Sequence, residues 1–390
     1  MAEQPSVAPT LPPYGEATLA DLSTSILASL GAAGEANPLN LAPADRVCLL
    51  VVDGLGWELL RDNQAAAPFL SELAMTARPL VAGFPATTVT SLSSLGTGRP
   101  PGQHGMLGYQ VLQPGRGRLL NGLRWDPGVD PVTWQPGSTI FERAAAQGIT
   151  AFRIAPGSFR GSGLSIASMR GADYRSADSL GALVAESADA LRETHRCLAT
   201  VYYGSLDATG HAHGSTSAAW RYQLGHVDKL AEQLASAVPQ NTVVHITADH
   251  GMVDVQPQDH IDMDDGAGLR DGVALIGGEP RARHVYAEPG AAADVLAAWQ
   301  EILGSRAWVA SRDEAIASGW FGPVAGPMVA RVGDVVAAPA GPWALVTKDE
   351  PAESALVGMH GSLTTTDQLV PHLMLAGAAP ELGPGPGGRW

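Results

Sequence analysis

Three stretches of the chain are apolar without interruption and then end in acid: RVCLLVVDG at 46–54, CLATVYYGSLD at 197–207 and TVVHITADHG at 242–251. Continuous runs rich in β-branched residues, lacking polar alternation, predict strands buried on both faces, as in a parallel sheet. Between them apolar residues recur at helical spacing in STIFERAAAQG (138–148), SADSLGALVAESADALRETHR (176–196) and TSAAWRYQLGHVDKLAEQLASAV (216–238). Strand and helix alternate, so the expected fold is α/β, a mostly parallel central sheet sandwiched by helices. Open sheets of this kind gather ligands at the carboxyl ends of their strands, and each of the three runs delivers an Asp to that edge.

After DHGMVDVQPQDHIDMDD the pattern shortens to strand-like pieces (GVALIGG, RHVYAE, MVARVGDVVAAPA, WALVTK) around one helical run, AAADVLAAWQEIL at 291–303. This predicts an inserted α/β cap over 266–347, lying over the sheet edge. A catalytic core is expected over 40–265 plus 348–380, with flexible ends at 1–20 and 381–390. Within the core's last part, GMHGSLTTTDQLVPHLMLAG is expected to supply a loop and a helix. No internal repeat or heptad interrupts the picture.

Composition narrows the function classes. A formal net charge of −15, with only Lys229 and Lys348 as lysines, gives a surface that repels a polyanion, so no nucleic-acid polymer is expected as partner. No segment approaches eighteen consecutive apolar residues, and MAEQPSVAPTLPPYGEA lacks the basic start and apolar stretch of a secretory signal. The expectation is a cytoplasmic protein with no membrane partner. Cys48 and Cys197 lie in apolar strand-like runs without CxxC spacing and read as reduced core residues.

Four short elements combine acid and imidazole: Asp53 in VVDGLG, Asp207 and His211 in SLDATGHAHG, Asp249 and His250 in TADHGM, and His360 in GMHGS. Each alone is as compatible with a cap or a turn. Together they offer six oxygen and nitrogen ligands beside strand ends, a set that suits zinc or another borderline divalent ion. The four-residue spacing of Asp207 and His211 puts both on one side of a helical turn. Two sets follow, Asp207, His211 and His360 for one ion and Asp53, Asp249 and His250 for the other. A pair of such ions clamps the attacking and leaving oxygens of an in-line phosphoryl displacement.

Such a site needs a nucleophile, and FPATTVTSLSSLGTG at 84–98 offers hydroxyls without a single charge. Apolar residues at 89, 92 and 95 have helical spacing, which puts a threonine near 88 at a helix N-terminus. Backbone N–H groups there stabilise an alkoxide and hold phosphate oxygens. The competing reading is that Thr87 or Thr88 only caps the helix.

The ordered set VVDG, FPATTVTSLSSLGTGRPPGQHGM, LDATGH, TADHGM and a late HG resembles the alkaline phosphatase superfamily, within it the nucleotide pyrophosphatase/phosphodiesterase branch, across about 46–375. The resemblance implies a small-molecule phosphoester or nucleotide substrate, with Thr88 as the nucleophile that becomes covalently modified. It also implies Thr88, Asp53, Asp249 and His250 on one metal and Asp207, His211 and His360 on the other, with Ser91 donating to a nonbridging phosphate oxygen. A phosphomonoesterase or phosphonoacetate hydrolase with the same site is the alternative, and a non-catalytic phosphate-binding relic the distant one. Tyr109, Trp125 and Tyr174 are candidates to sandwich a nucleobase.

Other polar features read as structural. His104 and His245 are expected to be supporting histidines, His213 to face away from His211, Arg99 to be a helix-end charge, and Asp254 to Asp265 a solvated acidic loop. GSFRGSG at 157–163 lacks the phosphate-loop spacing and is expected to be a plain loop.

Overall fold

The computed structural model describes residues 5–375. Its central sheet contains β1 (Arg46–Val52), β2 (Thr150–Ala155), β3 (Asp173–Ser176), β4 (Cys197–Tyr203), β5 (Thr242–Thr247) and β10 (His372–Leu375), in the order β10-β5-β1-β4-β2-β3. β1 runs parallel to both neighbours, with Cys48 opposite Ala199 of β4 and Val244 of β5. β2 and β3 continue the parallel run, and β10 alone in this sheet is antiparallel. Apart from Arg46, β1 is buried along its whole length, as its unbroken apolar sequence requires.

Helices cover the sheet. α4 (Leu180–Glu193) packs on β1, β2 and β4 and against α6 (Ala218–Ala237), while α1 (Leu19–Ser29), α2 (Thr88–Thr97) and α3 (Gly163–Met169) form a second packed group. On α6 the buried residues Trp220, Leu224, Val227, Leu230, Ala231 and Leu234 repeat every three or four positions. That stripe is what the sequence periodicity predicted, and each buried Leu or Val in it contributes about 1.5–3 kcal/mol.

A second, four-stranded antiparallel sheet is built from β6 (Val273–Glu279), β7 (Ala282–Ala287), β8 (Ala307–Ser311) and β9 (Val335–Pro339), in the order β6-β7-β9-β8. It shares with α7 (Ala292–Leu303) an apolar cluster of its own around Val285, Trp299 and Val335. β8 and a helix at Arg312–Ala317 are additional to the elements expected here. Of MVARVGDVVAAPA only Val335–Pro339 is strand, because Pro327 opens a short helix at Gly326–Val329. From WALVTK, Ala344–Val346 pairs with His260–Asp262 and not with the second sheet.

The turn between β6 and β7 reaches the central sheet edge. Arg281, fully buried, donates Nε to Asp367 Oδ1 at 2.9 Å and Nη2 to Asp367 Oδ2 at 2.6 Å. Asp367 follows His360 by one short loop, so this bidentate pair ties the second sheet to the segment that carries His360.

Two expectations are corrected for physical reasons. The last core segment has the expected loop and helix only in part: the helix is the single turn Thr365–Gln368, Pro371 cannot continue it, and His372–Leu375 joins β5 as an edge strand. Nor is the chain loose over its described N-terminal part. The Thr10 N–H donates to Leu363 O at 2.8 Å, Tyr14 Oη donates to Trp320 O at 2.9 Å, and Thr18 and Leu19 are buried. The expected end at 381–390 lies outside the described residues. Among the described residues no helix is long and apolar enough to cross a membrane.

Candidate active site

The carboxyl ends of three adjacent strands meet at one place. Asp53 follows β1, Asp249 and His250 follow β5, and Asp207 and His211 lie on α5 (Ser205–His213), which starts just past β4. His360 enters from the loop after Gly358–Met359. The close approach needs Gly54: it has φ +74°, and a Cβ there would lie 3.1 Å from Asp207 Cα and Cβ. Its N–H donates to Asp249 Oδ1 at 3.1 Å.

Ligand atoms of Asp53, Asp249 and His250 lie within 4.8 Å of one another, and so do those of Asp207, His250 and His360. His250 thus stands between the two sets, its ring stacked on that of His360 with centroids 3.5 Å apart. His211 joins the second set through Asp207, Nε2 to Oδ2 at 3.2 Å, the one-turn contact expected from their spacing.

All three histidines are oriented in the same way. Nδ1 faces a backbone carbonyl in each: Gly251 O at 2.8 Å for His250, Gly358 O at 2.7 Å for His211 and Ala86 O at 2.9 Å for His360. A carbonyl only accepts, so Nδ1 carries a proton in each ring and Nε2 is the nitrogen turned towards the carboxylates. On the acid side, Asp53 Oδ1, Asp207 Oδ1 and Asp249 Oδ2 are buried without any hydrogen-bond partner. Three orphaned carboxylate oxygens facing three imidazole Nε2 atoms fit divalent cations, which would take the place of any Nε2 proton, in chemistry and in supporting hydrogen bonds.

The electrostatics point the same way. Burial, then the neighbouring Asp53, pushes the Asp249 carboxyl well above its ordinary range. His250 is opposed by burial, yet Asp249 and Asp53 raise its pKa to about 10. His360 is driven well below its ordinary value by burial and by the charge of His250. Tyr202 Oη donates to Asp53 Oδ2 and, with burial raising its own pKa, stays a donor. Clustered acids that distort one another's protonation in this way are relieved by a bound cation.

Thr88 is the first residue of α2, with Thr87 in the cap position. Thr87 makes no side-chain cap, so the first N–H groups of the helix are left for another acceptor. The Thr88 hydroxyl is half-buried and lies 3.2 Å from His250 Nε2. Ser91, one turn on, is different: it is fully buried, does not border the cavity, and its hydroxyl has no partner.

A cavity of about 840 Å³ opens over Thr88, Asp53, Asp207, His211 and His360. Sequence reading missed several of its walls. Tyr202 lies inside a strand run that reads as plain core, Arg153 lies in the strand Thr150–Ala155, which the sequence reading did not identify, and Glu279 stands at the β6 end. The 157–163 loop is not a bystander, since Ser158, Phe159 and Ser162 line the cavity. Burial raises the Glu279 carboxyl to about 8, against the Tyr109 N–H that donates to it at 2.8 Å.

The remaining candidates separate clearly. Tyr109 borders the cavity, whereas Trp125 and Tyr174 do not, and their polar atoms are taken by Val129 O and Pro156 O. His104 is buried, with Nε2 against Ser94 Oγ and Nδ1 accepting from the Met106 N–H. His245 is buried against His372, His213 is exposed, and Asp254 accepts from the N–H groups of Ser215 and Thr216.

Known proteins share this fold. Residues 47–363 match the family described as type I phosphodiesterase / nucleotide pyrophosphatase. No curated protein matches in sequence. Among solved structures, murine ectonucleotide pyrophosphatase / phosphodiesterase 5 superposes with a TM-score of 0.67 at 18% identity, covering 84% of this chain and 87% of its own. An inactive threonine-to-alanine form of that murine protein in complex with AMP gives 0.66 at 17% identity, covering 84% and 87%. Phosphonoacetate hydrolase from Sinorhizobium meliloti, in complex with phosphonoformate, gives 0.64 at 19% identity, covering 88% and 93%. These likenesses show the shared fold. The chain belongs to the type I phosphodiesterase / nucleotide pyrophosphatase family, within the alkaline phosphatase superfamily, and is a metal-dependent hydrolase of phosphoric ester or phosphoanhydride bonds.

Proposed function

We propose that this protein is a two-metal nucleotide pyrophosphatase/phosphodiesterase in which Thr88 is the nucleophile and is transiently phosphorylated or nucleotidylated. The observation that carries the reading is the position of the Thr88 hydroxyl, at an uncapped helix N-terminus and 3.2 Å from Nε2 of a histidine shared by both ligand sets. Asp53, Asp249 and His250, with Thr88, would hold one ion, and Asp207, His211 and His360 the other. Three imidazoles beside three carboxylates favour zinc. When bound, the ions supply the positive charge that makes a threonine hydroxyl acidic enough to attack and that balances the phosphoryl oxygens.

The chain's own groups do the rest. The free N–H groups of the first turn of α2 donate to phosphate oxygens, and the helix dipole favours their charge. Thr88 Oγ1, its proton released to solvent, attacks phosphorus in line, the P–O bond to the leaving group breaks, and the leaving oxygen departs on the opposite side with the bonding electron pair and takes up a proton from solvent. Water then cleaves the phosphothreonine bond and restores the hydroxyl. Tyr202 fixes Asp53, and the three carbonyl-bound Nδ1–H groups keep each imidazole turned inward.

The substrate class is a small phosphodiester or nucleotide. A cavity of about 840 Å³ has room for a second phosphoryl substituent beside Thr88. The AMP complex of the murine relative supports the same class. Hydrolysis of bis(p-nitrophenyl) phosphate, thymidine 5′-monophosphate p-nitrophenyl ester and p-nitrophenyl phosphate, compared side by side, tests it. Diester rates far above the monoester rate are expected; a dominant monoester rate would move the substrate to phosphomonoesters.

A further inference from the structure

We propose that Arg153 anchors a second oxyanion of the substrate, a phosphate or carboxylate group other than the phosphoryl group attacked by Thr88. The proposal rests on the reading of Thr88 as the site of phosphoryl transfer and adds what the rest of the substrate carries.

Arg153 lies within β2 and is only 5% exposed. Three other arginines are comparably buried, and each has an oxygen acceptor. Arg281 is paired with Asp367, Arg283 with Glu353, and Arg331 donates to the carbonyls of Gly105 and Trp134. Arg153 has none among the described residues. Its Nη1 is buried without a partner, and its guanidinium rests on the ring of Tyr202, 5.2 Å from the centroid. Burial lowers its pKa, but a guanidinium stays protonated. A buried cation left unpaired is costly, and the cost is recovered where an anion arrives.

The anion has a way in, because Arg153 lines the cavity over Thr88. Arg124 lines the cavity as well, whereas Asp53, Asp207, Glu279, Glu350 and Glu353 supply its acidic lining. We place this anion apart from the phosphoryl group attacked by Thr88, although the charge of Asp249 reaches Arg153. β2 lies two strands from β1, about 9–10 Å at the usual strand spacing. Tyr202 donates to Asp53 through its hydroxyl while its ring carries the guanidinium, so one side chain spaces the cation from the Thr88 centre. The geometry suits a substrate with two anionic groups, such as a nucleoside diphosphate or a phosphonate bearing a carboxylate.

Binding to the zinc-loaded Thr88→Ala protein tests this without turnover, with metal content checked in every variant. Isothermal titration would compare ADP with AMP, and phosphonoacetate with methylphosphonate, in the Arg153, Arg153→Gln and Arg153→Lys backgrounds. The expected result is that Arg153→Gln weakens the member with the additional anion about tenfold or more beyond its partner in at least one pair, and that Arg153→Lys restores part of the difference. Loss in the ADP pair identifies a phosphate, and loss in the phosphonoacetate pair a carboxylate. Equal weakening of both members, no change, or no preference for the additional anion in the Arg153 background overturns the proposal. Failure of the parent enzyme to hydrolyse any phosphoester would instead count against the Thr88 reading, and is scored in a separate assay.

Discussion

Thr88 Oγ1 and His250 Nε2 lie 3.2 Å apart, one on the first turn of α2 and the other just beyond the end of β5. The two residues are 162 positions apart in sequence, so this contact depends on the sheet order that sets β5 beside β1 and on the helix that follows Phe84-Pro85. His250 also belongs to both groups of ligand atoms. The hydroxyl therefore stands where the two groups meet.

Removing divalent ions should abolish hydrolysis and lower stability together. Three buried carboxylate oxygens have no hydrogen-bond partner among the described residues, and an ion present at a thousand times its dissociation constant would stabilise the native state by about 4 kcal/mol. Chelation followed by differential scanning calorimetry should show a lower Tm that zinc restores. An unchanged Tm and rate after verified metal removal would show that these oxygens hold no ion.

Ser91→Ala should change turnover by less than about threefold and leave stability within ~0.5 kcal/mol, since the hydroxyl is buried away from the cavity and unpaired. Steady-state kinetics on a diester substrate would check it. A loss of a hundredfold would return Ser91 to the phosphate-contact role that the family resemblance implies.

Arg281→Ala should destabilise the protein by about 3–5 kcal/mol, because it leaves the Asp367 carboxylate buried without its cation. Since the pair ties the β6–β7 turn to the segment carrying His360, loss of zinc affinity should accompany the drop. Urea unfolding of the variant and zinc titration of the residual folded protein would measure both.

Stability should fall on acidification partly through a pair far from the ligand groups. His245 and His372 stack on adjacent strands with Nδ1 and Nε2 3.1 Å apart. Burial lowers His245 to about 3 and His372 to about 4. Below about 6.5 the unfolded chain takes up protons that the native state refuses, so their contribution is complete above that pH. It declines as pH falls towards 4 and 3, by up to about 1.4 kcal/mol per pH unit per proton. Replacing both residues with Gln should flatten the acid limb of stability against pH. An unchanged limb would show that neither resists protonation.

The legible and illegible parts of this molecule differ for physical reasons. Asp53, Asp207 and Asp249 could be found because unbroken apolar runs mark strands, and a strand's end fixes where its next residue sits. Asp207 and His211 could be paired because one helical turn has a known spacing. His250 in both ligand groups could not be seen, since spacing along the chain says nothing about two loops meeting. Ser91 shows the same limit: its place on a helix was readable, but which side of the helix faces the cavity depends on how α2 packs. Arg153 was hidden in a strand, where a single charge reads as noise until its missing partner is visible. The closing strand β10 was not legible, because the four residues after Pro371 are too short a run to show a strand period.

The most direct test of the account is the turnover of Thr88→Ala on thymidine 5′-monophosphate p-nitrophenyl ester, beside the parent protein at matched zinc content and matched Tm. Losing the nucleophile should lower kcat by about a thousandfold or more, with the fold and the ions retained. Turnover at the parent rate would contradict the assignment of Thr88, and with it the mechanism proposed here.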